Sequence, residues 1–311
     1  MSYAGRAYRA VERGVNTLLR PLGVSLKRNS THSIETFYPP SYRPEPRWED
    51  QPDGHQPQLK KLLESGEARY LEWFDRILAR AGELAAVARD ADPNDPRAPN
   101  WVNGWFPALD AAALHTVLAE TRPPRYLEVG SGNSTKFARR AIALHGLATT
   151  ITSIDPAPRA EIDALCDQVI RQPMEAVPLS TFESLAPGDV LFVDGSHRSF
   201  MNSDVTILFL DVLPRLKRGV LVQVHDIYLP ADYIRRIGTN HLYNEQYLLA
   251  AYLLGGARNV EVLLPNYWLT TIPRHAERRA ELWKRLGFAA DFPADHLGGG
   301  SFWMRVTRDP E

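Results

Sequence analysis

The sequence predicts an α/β fold built on a parallel sheet, and three observations lead there. Short apolar runs alternate with helical stretches from residue 125 onward, the first run ends in a glycine turn, and the second ends in an acid. Strands separated by helices need right-handed crossovers, and these place the strands in parallel. Strands are expected near 125–130, 149–154, 167–171, 188–194 and 219–225, with two more at 259–264 and 301–306.

Tyr126, Leu127 and Val129 read as a buried first strand, after which Gly130 and Gly132 allow a sharp turn where a Cβ would collide with a ligand. Asn133 to Ala143 reads as a helix capped by Asn133 or Ser134. Asp155 closes the second strand about 20 residues after the glycines, where a carboxylate can accept both hydroxyls of a ribose. The fourth strand runs into Asp194-Gly195-Ser196-His197 and the fifth into His225-Asp226. Polar groups therefore gather at the carboxyl ends of neighbouring strands, the edge at which open α/β sheets bind ligands. An acid such as Asp194 at the end of an apolar strand must be solvated, paired or bound to a cation.

Ahead of this core, residues 58–88 show a helical pattern that Asp92-Pro-Asn-Asp-Pro-Arg-Ala-Pro99 breaks, and a second helix is expected over 108–120. Trp101, Trp105 and Phe106 lie between them and suit either core packing or the wall of an acceptor pocket. Residues 37–57 contain six prolines and read as an extended linker. Residues 3–27 carry Arg6, Arg9, Arg13, Arg20 and Lys27 among leucines and valines at helical spacing. Such a segment can lie on an anionic membrane surface, or pack as a tail on the domain or a partner. The expected organisation is a basic segment and linker over 1–57, a helical extension that caps the acceptor side over 58–122, and the ligand-binding domain over 123–311.

The charge balance, 36 basic against 37 acidic residues, gives no support for nucleic acid as a partner. Cys166 is the only cysteine, which excludes an intrachain disulfide and a cysteine-built zinc site and fits a reducing cytoplasm. No apolar run reaches the roughly 18 residues of a membrane span, and no signal-peptide core is found.

Glu128-Val129-Gly130-Ser131-Gly132 resembles motif I of the class I S-adenosylmethionine-dependent methyltransferases. The phrase Val193-Asp194-Gly195-Ser196-His197, the later His225-Asp226, Tyr243-Asn244-Glu245-Gln246-Tyr247-Leu248-Leu249 and Gly300-Ser301-Phe302-Trp303-Met304 are similar to methyltransferase family 24. The resemblance implies a Rossmann-like sheet of seven strands, mostly parallel with an antiparallel last strand, and S-adenosylmethionine as cofactor. It implies donor contacts at Glu128, Gly130, Ser131, Gly132, Asp155, Met174 and Asp194. Relatives such as the catechol and sugar O-methyltransferases imply a divalent metal here on Asp194, Asp226 and His225. An imidazole at 225 in place of a carboxylate turns the preference from magnesium towards manganese, iron or zinc, or towards no metal at all.

His197 is the expected general base, with His225 as the alternative and Asp194 as the group that orients either ring. The other histidines, His115 and His145 among them, have no acid at diagnostic spacing and are expected on the surface or satisfied in the core. The resulting expectation is an O-methyltransferase for a hydroxyl of a small molecule, glycan or glycolipid. An NAD-dependent oxidoreductase would need a third loop glycine and a hydride-transfer pair, and neither is present. A non-catalytic binding protein on the same fold is the remaining alternative. Oligomeric state is not legible in the sequence.

Overall fold

The computed structural model describes residues 45–48, 55–158 and 160–310. The basic amphipathic segment at 3–27 and most of the proline-rich linker lie outside them. Among the described residues, no helix is long and apolar enough to cross a membrane.

The seven strands are β1 (Arg125–Val129), β2 (Thr150–Ile154), β3 (Gln168–Ile170), β4 (Val190–Val193), β5 (Leu221–Val224), β6 (Val260–Pro265) and β7 (Phe302–Val306). They pair in the order β3-β2-β1-β4-β5-β7-β6. β1 to β5 are mutually parallel, whereas β7 runs antiparallel to both of its neighbours. The seven-stranded methyltransferase-type sheet expected from the sequence is therefore present, antiparallel last strand included. β1, β4 and β5 are buried on both faces apart from Arg125, which is why they read as continuous apolar runs.

The helices before the sheet are α1 (Pro57–Ser65), α2 (Glu67–Leu84) and α3 (Ala108–Thr121). The single helical pattern expected over 58–88 is thus two helices, divided at Gly66. A Cβ at Gly66 would overlap the Tyr70 ring, so the break between the helices needs a residue without a side chain. α3 is buried on nearly every side, as its run Ala108-Leu-Asp-Ala-Ala-Ala-Leu114 demands: small side chains let it lie against both α2 and α4 (Asn133–Leu144).

α4 begins at Asn133 with Gly132 as its cap residue, one position earlier than expected. Thr135 accepts the Gly132 N–H through Oγ1 at 3.0 Å, so a first-turn side chain satisfies the loop instead of an Asn or Ser ahead of the helix. The chain runs outward from β1 to β3 and then returns to place β4 on the other side of β1. That reversal opens a crevice above the carboxyl ends of β1 and β4.

Candidate active site

Gly130 ends β1 at φ +78°, a conformation open mainly to glycine, and a Cβ there would overlap the carbonyl oxygen of Asp194. The first loop glycine is thus demanded by the chain's own β1–β4 contact. Gly132 differs: a Cβ there would meet no atom within 4 Å, because it borders open space. That space is a cleft of about 900 Å³ lined by Gly130 to Ser134, Asp155, Met174, Asp194 and the 91–106 loop.

Asp155 joins the end of β2 to the glycine loop. Its Oδ2 accepts the Ser131 N–H at 2.9 Å and its Oδ1 accepts the Ala157 N–H at 2.8 Å, which fixes the carboxylate in the cleft wall. Met174 is buried in the cleft lining and Glu175 borders the cleft beside it. Glu128 lies beneath the cleft and does not line it. Its fully buried carboxyl accepts from Tyr126 Oη at 2.9 Å and from Thr135 Oγ1, so it braces the loop and the first turn of α4. Burial outweighs these hydrogen bonds and raises its pKa from 4.5 to about 7.

At the other end of the cleft, Asp194 meets a buried cluster. His197 and Asp226, which follow β4 and β5, take left-handed backbone conformations at φ +58° and +54° and turn towards one another. Strain of this kind in non-glycine residues marks a site the surrounding fold over-determines. His197 Nε2 lies 3.1 Å from Asp194 Oδ1 and 3.5 Å from Asp226 Oδ2, and its Nδ1 lies 2.9 Å from Glu245 Oε2. Asp194, His197 and Asp226 together have the spacing of a metal-binding group.

His225 belongs to the same cluster from below. Its Nε2 is 3.1 Å from Oδ2 of Asp110, while its buried Nδ1 makes no hydrogen bond and faces Asp194 and Asp226 at 3.6 and 3.5 Å. Burial disfavours a charged ring in both histidines, but the carboxylates around them outweigh it. The pKa of His197 is held well above its ordinary value, by Asp194, Glu245 and Asp226, and that of His225 rises to about 9, chiefly through Asp194, Asp110 and Asp226.

Apart from Glu128, which lies beneath the cleft, the sequence-predicted residues are thus brought to one sheet edge, with Asp194 shared between cleft and cluster. Two residues that complete the cluster were missed. Asp110 is fully buried in α3 and accepts from Asn266 Nδ2 (2.7 Å), Gly300 N (2.7 Å) and Ser301 N (2.9 Å) as well as facing His225. A charge inside the alanine-rich helix was its signal, since a lone buried carboxylate is too costly to stand without partners. Glu245 lies within the family phrase quoted for residues 243–249, but nothing local connects it to His197.

The aromatics divide. Trp101 and Phe106 are buried, Phe106 against the His225 ring at 5.4 Å, whereas Trp105 is 61 % exposed on the cleft rim. Trp268 and Tyr233 are buried; Tyr233 packs edge-on against Tyr243, which lies 4.5 Å from the His197 ring.

Residues 127–227 match the family model of methyltransferase family 24, described as a methyltransferase domain. The match begins in β1 and ends just beyond Asp226, so it includes the glycine loop, Asp155, Asp194, His197, His225 and Asp226 but neither Asp110 nor Glu245, and it bears out the resemblance read from the sequence. A comparison with curated proteins gives no match. Among solved structures, the chain is similar to the SAH-bound methyltransferase PaMTH1 of Podospora anserina. Identity is 15 % and the TM-score 0.39, over 74 % of this chain and 88 % of that one. It is also similar to an O-methyltransferase from Bacillus cereus in complex with SAH, at 15 % identity and a TM-score of 0.37, over 76 % and 91 % of the two chains. A third likeness is the plantazolicin methyltransferase BpumL in complex with SAH, at 12 % identity and a TM-score of 0.37, over 81 % and 100 %.

Proposed function

We propose, from the premise that residues 127–227 form an S-adenosylmethionine-dependent methyltransferase domain, that the chain methylates a hydroxyl group that enters beside Asp194. The observation that carries this reading is the meeting, at Asp194, of an open cleft lined by the glycine loop with a buried cluster able to handle a proton. The cleft fits the donor: it has the volume of an ordinary cofactor site, open space beside Gly132, and the Asp155 carboxylate held in its wall. When bound, S-adenosylmethionine supplies an electrophilic methyl group on a sulfonium. Asp155 then serves the ribose hydroxyls, Met174 and Glu175 flank the adenine, and Gly130 to Gly132 leave room for the methionine moiety.

A divalent cation is part of the proposal, on Asp194, Asp226 and His225. The fit rests on the orphaned, buried Nδ1 of His225, whose opposite nitrogen Asp110 holds, an arrangement in which a carboxylate orients an imidazole towards a metal. Such an ion would lower the pKa of the acceptor hydroxyl. Two carboxylates with imidazole suit manganese, iron or zinc better than magnesium.

His197 is the proposed base. Glu245 engages Nδ1, so Nε2, directed at Asp194 and Asp226, is the atom to receive the acceptor's proton. The carboxylates around it favour the protonated ring, and the base role needs Asp194 and Asp226 to be engaged elsewhere, which joins the base to the cation in one reading. Alignment of hydroxyl and methyl supplies most of the remaining rate. The exposed Trp105 at the rim suits stacking on a sugar or other ring, in keeping with a glycan or lipid-linked glycan acceptor, and the single cysteine suits a cytoplasmic location.

Calorimetric titration of the full chain with S-adenosylmethionine and, separately, NAD tests the donor; binding of NAD alone would overturn the reading. For the base, His197→Ala is expected to bind donor and metal normally yet lose about 10²- to 10⁴-fold in turnover on labelled acceptor fractions. Loss of the metal from His197→Ala would instead make His197 a ligand. Full turnover after exhaustive chelation, with no metal by elemental analysis, would remove the cation.

A further inference from the structure

At the end of α4 opposite the glycine loop, three side chains from three helices converge. Glu83 lies in the last turn of α2, His115 in the middle of α3, and His145 directly after α4. Glu83 Oε2 is 2.8 Å from His115 Nε2 and 3.1 Å from His145 Nε2, and the two nitrogens are 3.3 Å apart. We propose that Glu83, His115 and His145 bind a transition-metal ion of the zinc type at a site separate from the cleft.

The three separations resemble the edges of a tetrahedral shell, which for bonds of about 2.0 to 2.1 Å are roughly 3.3 Å long. Without an ion the arrangement is awkward. Both imidazoles direct the same nitrogen at one carboxylate oxygen, and two N–H groups aimed at that oxygen would crowd each other. If one ring presents its lone pair instead, the other N–H must be shared between two acceptors. An ion replaces those protons and uses all three lone pairs.

The neighbours leave the donor atoms available. Arg80 holds the other Glu83 oxygen, Oε1, at 3.0 Å, which leaves Oε2 as a single-oxygen ligand. The Nδ1 of His115 is buried without a hydrogen-bond partner while Nε2 faces the Glu83 carboxylate, so an ion on Nε2 would take the place of the proton that this pair shares and move the ring proton to Nδ1. His115 is buried, whereas the Glu83 and His145 side chains are 32 % and 16 % exposed. A fourth position is therefore open to water from one side. Two imidazoles and a carboxylate form a borderline set, favouring zinc over calcium or magnesium. α4 has 12 residues and so spans about 18 Å, which separates this site from the cleft at its other end. An ion here would tie α2 and α3 to the helix that begins in the glycine loop.

The test uses the full chain, stripped with a chelator and titrated with zinc chloride by calorimetry, in an Asp194→Asn, Asp226→Asn background that silences the cleft cluster. One equivalent is expected to bind. His145→Ala and, separately, Glu83→Gln should weaken it by at least about tenfold, with an unchanged circular dichroism spectrum, while His296→Ala leaves it intact. Should the double background fail to fold, elemental analysis of otherwise native chains is expected to show one equivalent fewer in His145→Ala. No bound zinc in the double background, or binding indifferent to both His145→Ala and Glu83→Gln, would overturn the site.

Discussion

The two ends of the cleft are built by opposite means. On the β1–β2 side the site is mostly backbone and open space: a glycine loop, one carboxylate joined to Ser131 N–H, and a wall containing Met174. On the β4–β5 side it is a dense set of ionisable side chains, in which His197 and His225 each have a carboxylate from a distant helix behind them. The difference teaches where mutational damage should appear. Changes on the first side should act on donor affinity or on the β1–β4 contact. Changes on the second should act on orientation and proton transfer, because every group there depends on another buried charge.

The comparison breaks most readily at Asp110. Asp110→Ala would leave His225 Nε2, Asn266 Nδ2 and the Gly300 and Ser301 N–H groups without their acceptor. A stability loss of about 3 to 5 kcal/mol is expected in chemical denaturation. Asp110→Asn, which keeps the shape, should fold better and still reduce turnover while donor affinity stays level. Equal loss of affinity and turnover would show that the two ends are not separable.

Gly130→Ala tests the contact between the two sides. A Cβ must displace the Asp194 carbonyl and occupy φ +78°, so a loss of about 3 kcal/mol in stability is expected even without donor. Retained stability with abolished donor binding would assign the glycine to the ligand instead. Gly132→Ala, which meets nothing in the ligand-free chain, should leave the fold intact and weaken only the donor.

Glu128 sharpens the comparison through pH. Its pKa is raised by burial from 4.5 to about 7, so between those values the folded chain keeps a proton the unfolded chain has lost. Stability from this residue is therefore full below about pH 4.5 and falls as pH rises towards 7, by about 3 kcal/mol in all. Glu128→Gln should flatten that slope in denaturation curves taken from pH 5 to 8. An unchanged slope would show that Glu128 is ionised beneath the loop.

The smallest effect is expected at Asp155. Asp155→Ala removes the proposed ribose acceptor and one anchor of the loop, and donor affinity measured by calorimetry should fall by about 1.5 to 3 kcal/mol. Unchanged affinity in a folded variant would remove Asp155 from the donor site.

The same contrast explains how much was readable in advance. Gly130, Gly132 and Asp155 are legible because a strand, a tight turn and a second strand leave their marks within about 30 consecutive residues. Asp194, His197 and the His225-Asp226 pair are legible as strand ends. The second row was not. Glu245 reaches His197 across 48 residues and Asp110 reaches His225 across 115, and no local period encodes such a pairing. The aromatics show the same limit: Phe106 is buried against His225 while its neighbour Trp105 is exposed, a division that depends on a partner 119 residues further along the chain.

By itself the sequence determined the strands, their parallel direction up to β5, the glycine turn and the acids at the sheet edge, because alternation, backbone freedom and the cost of a buried charge are properties of short stretches of chain. Only the tertiary structure decided which nitrogen of each histidine faces the site and that Glu128 braces the loop from below. It also brought His115 and His145 together at Glu83. Those outcomes depend on which distant side chain fills a given space and whether its charge is shielded from water, and such quantities come into being only when the sheet and helices close around them.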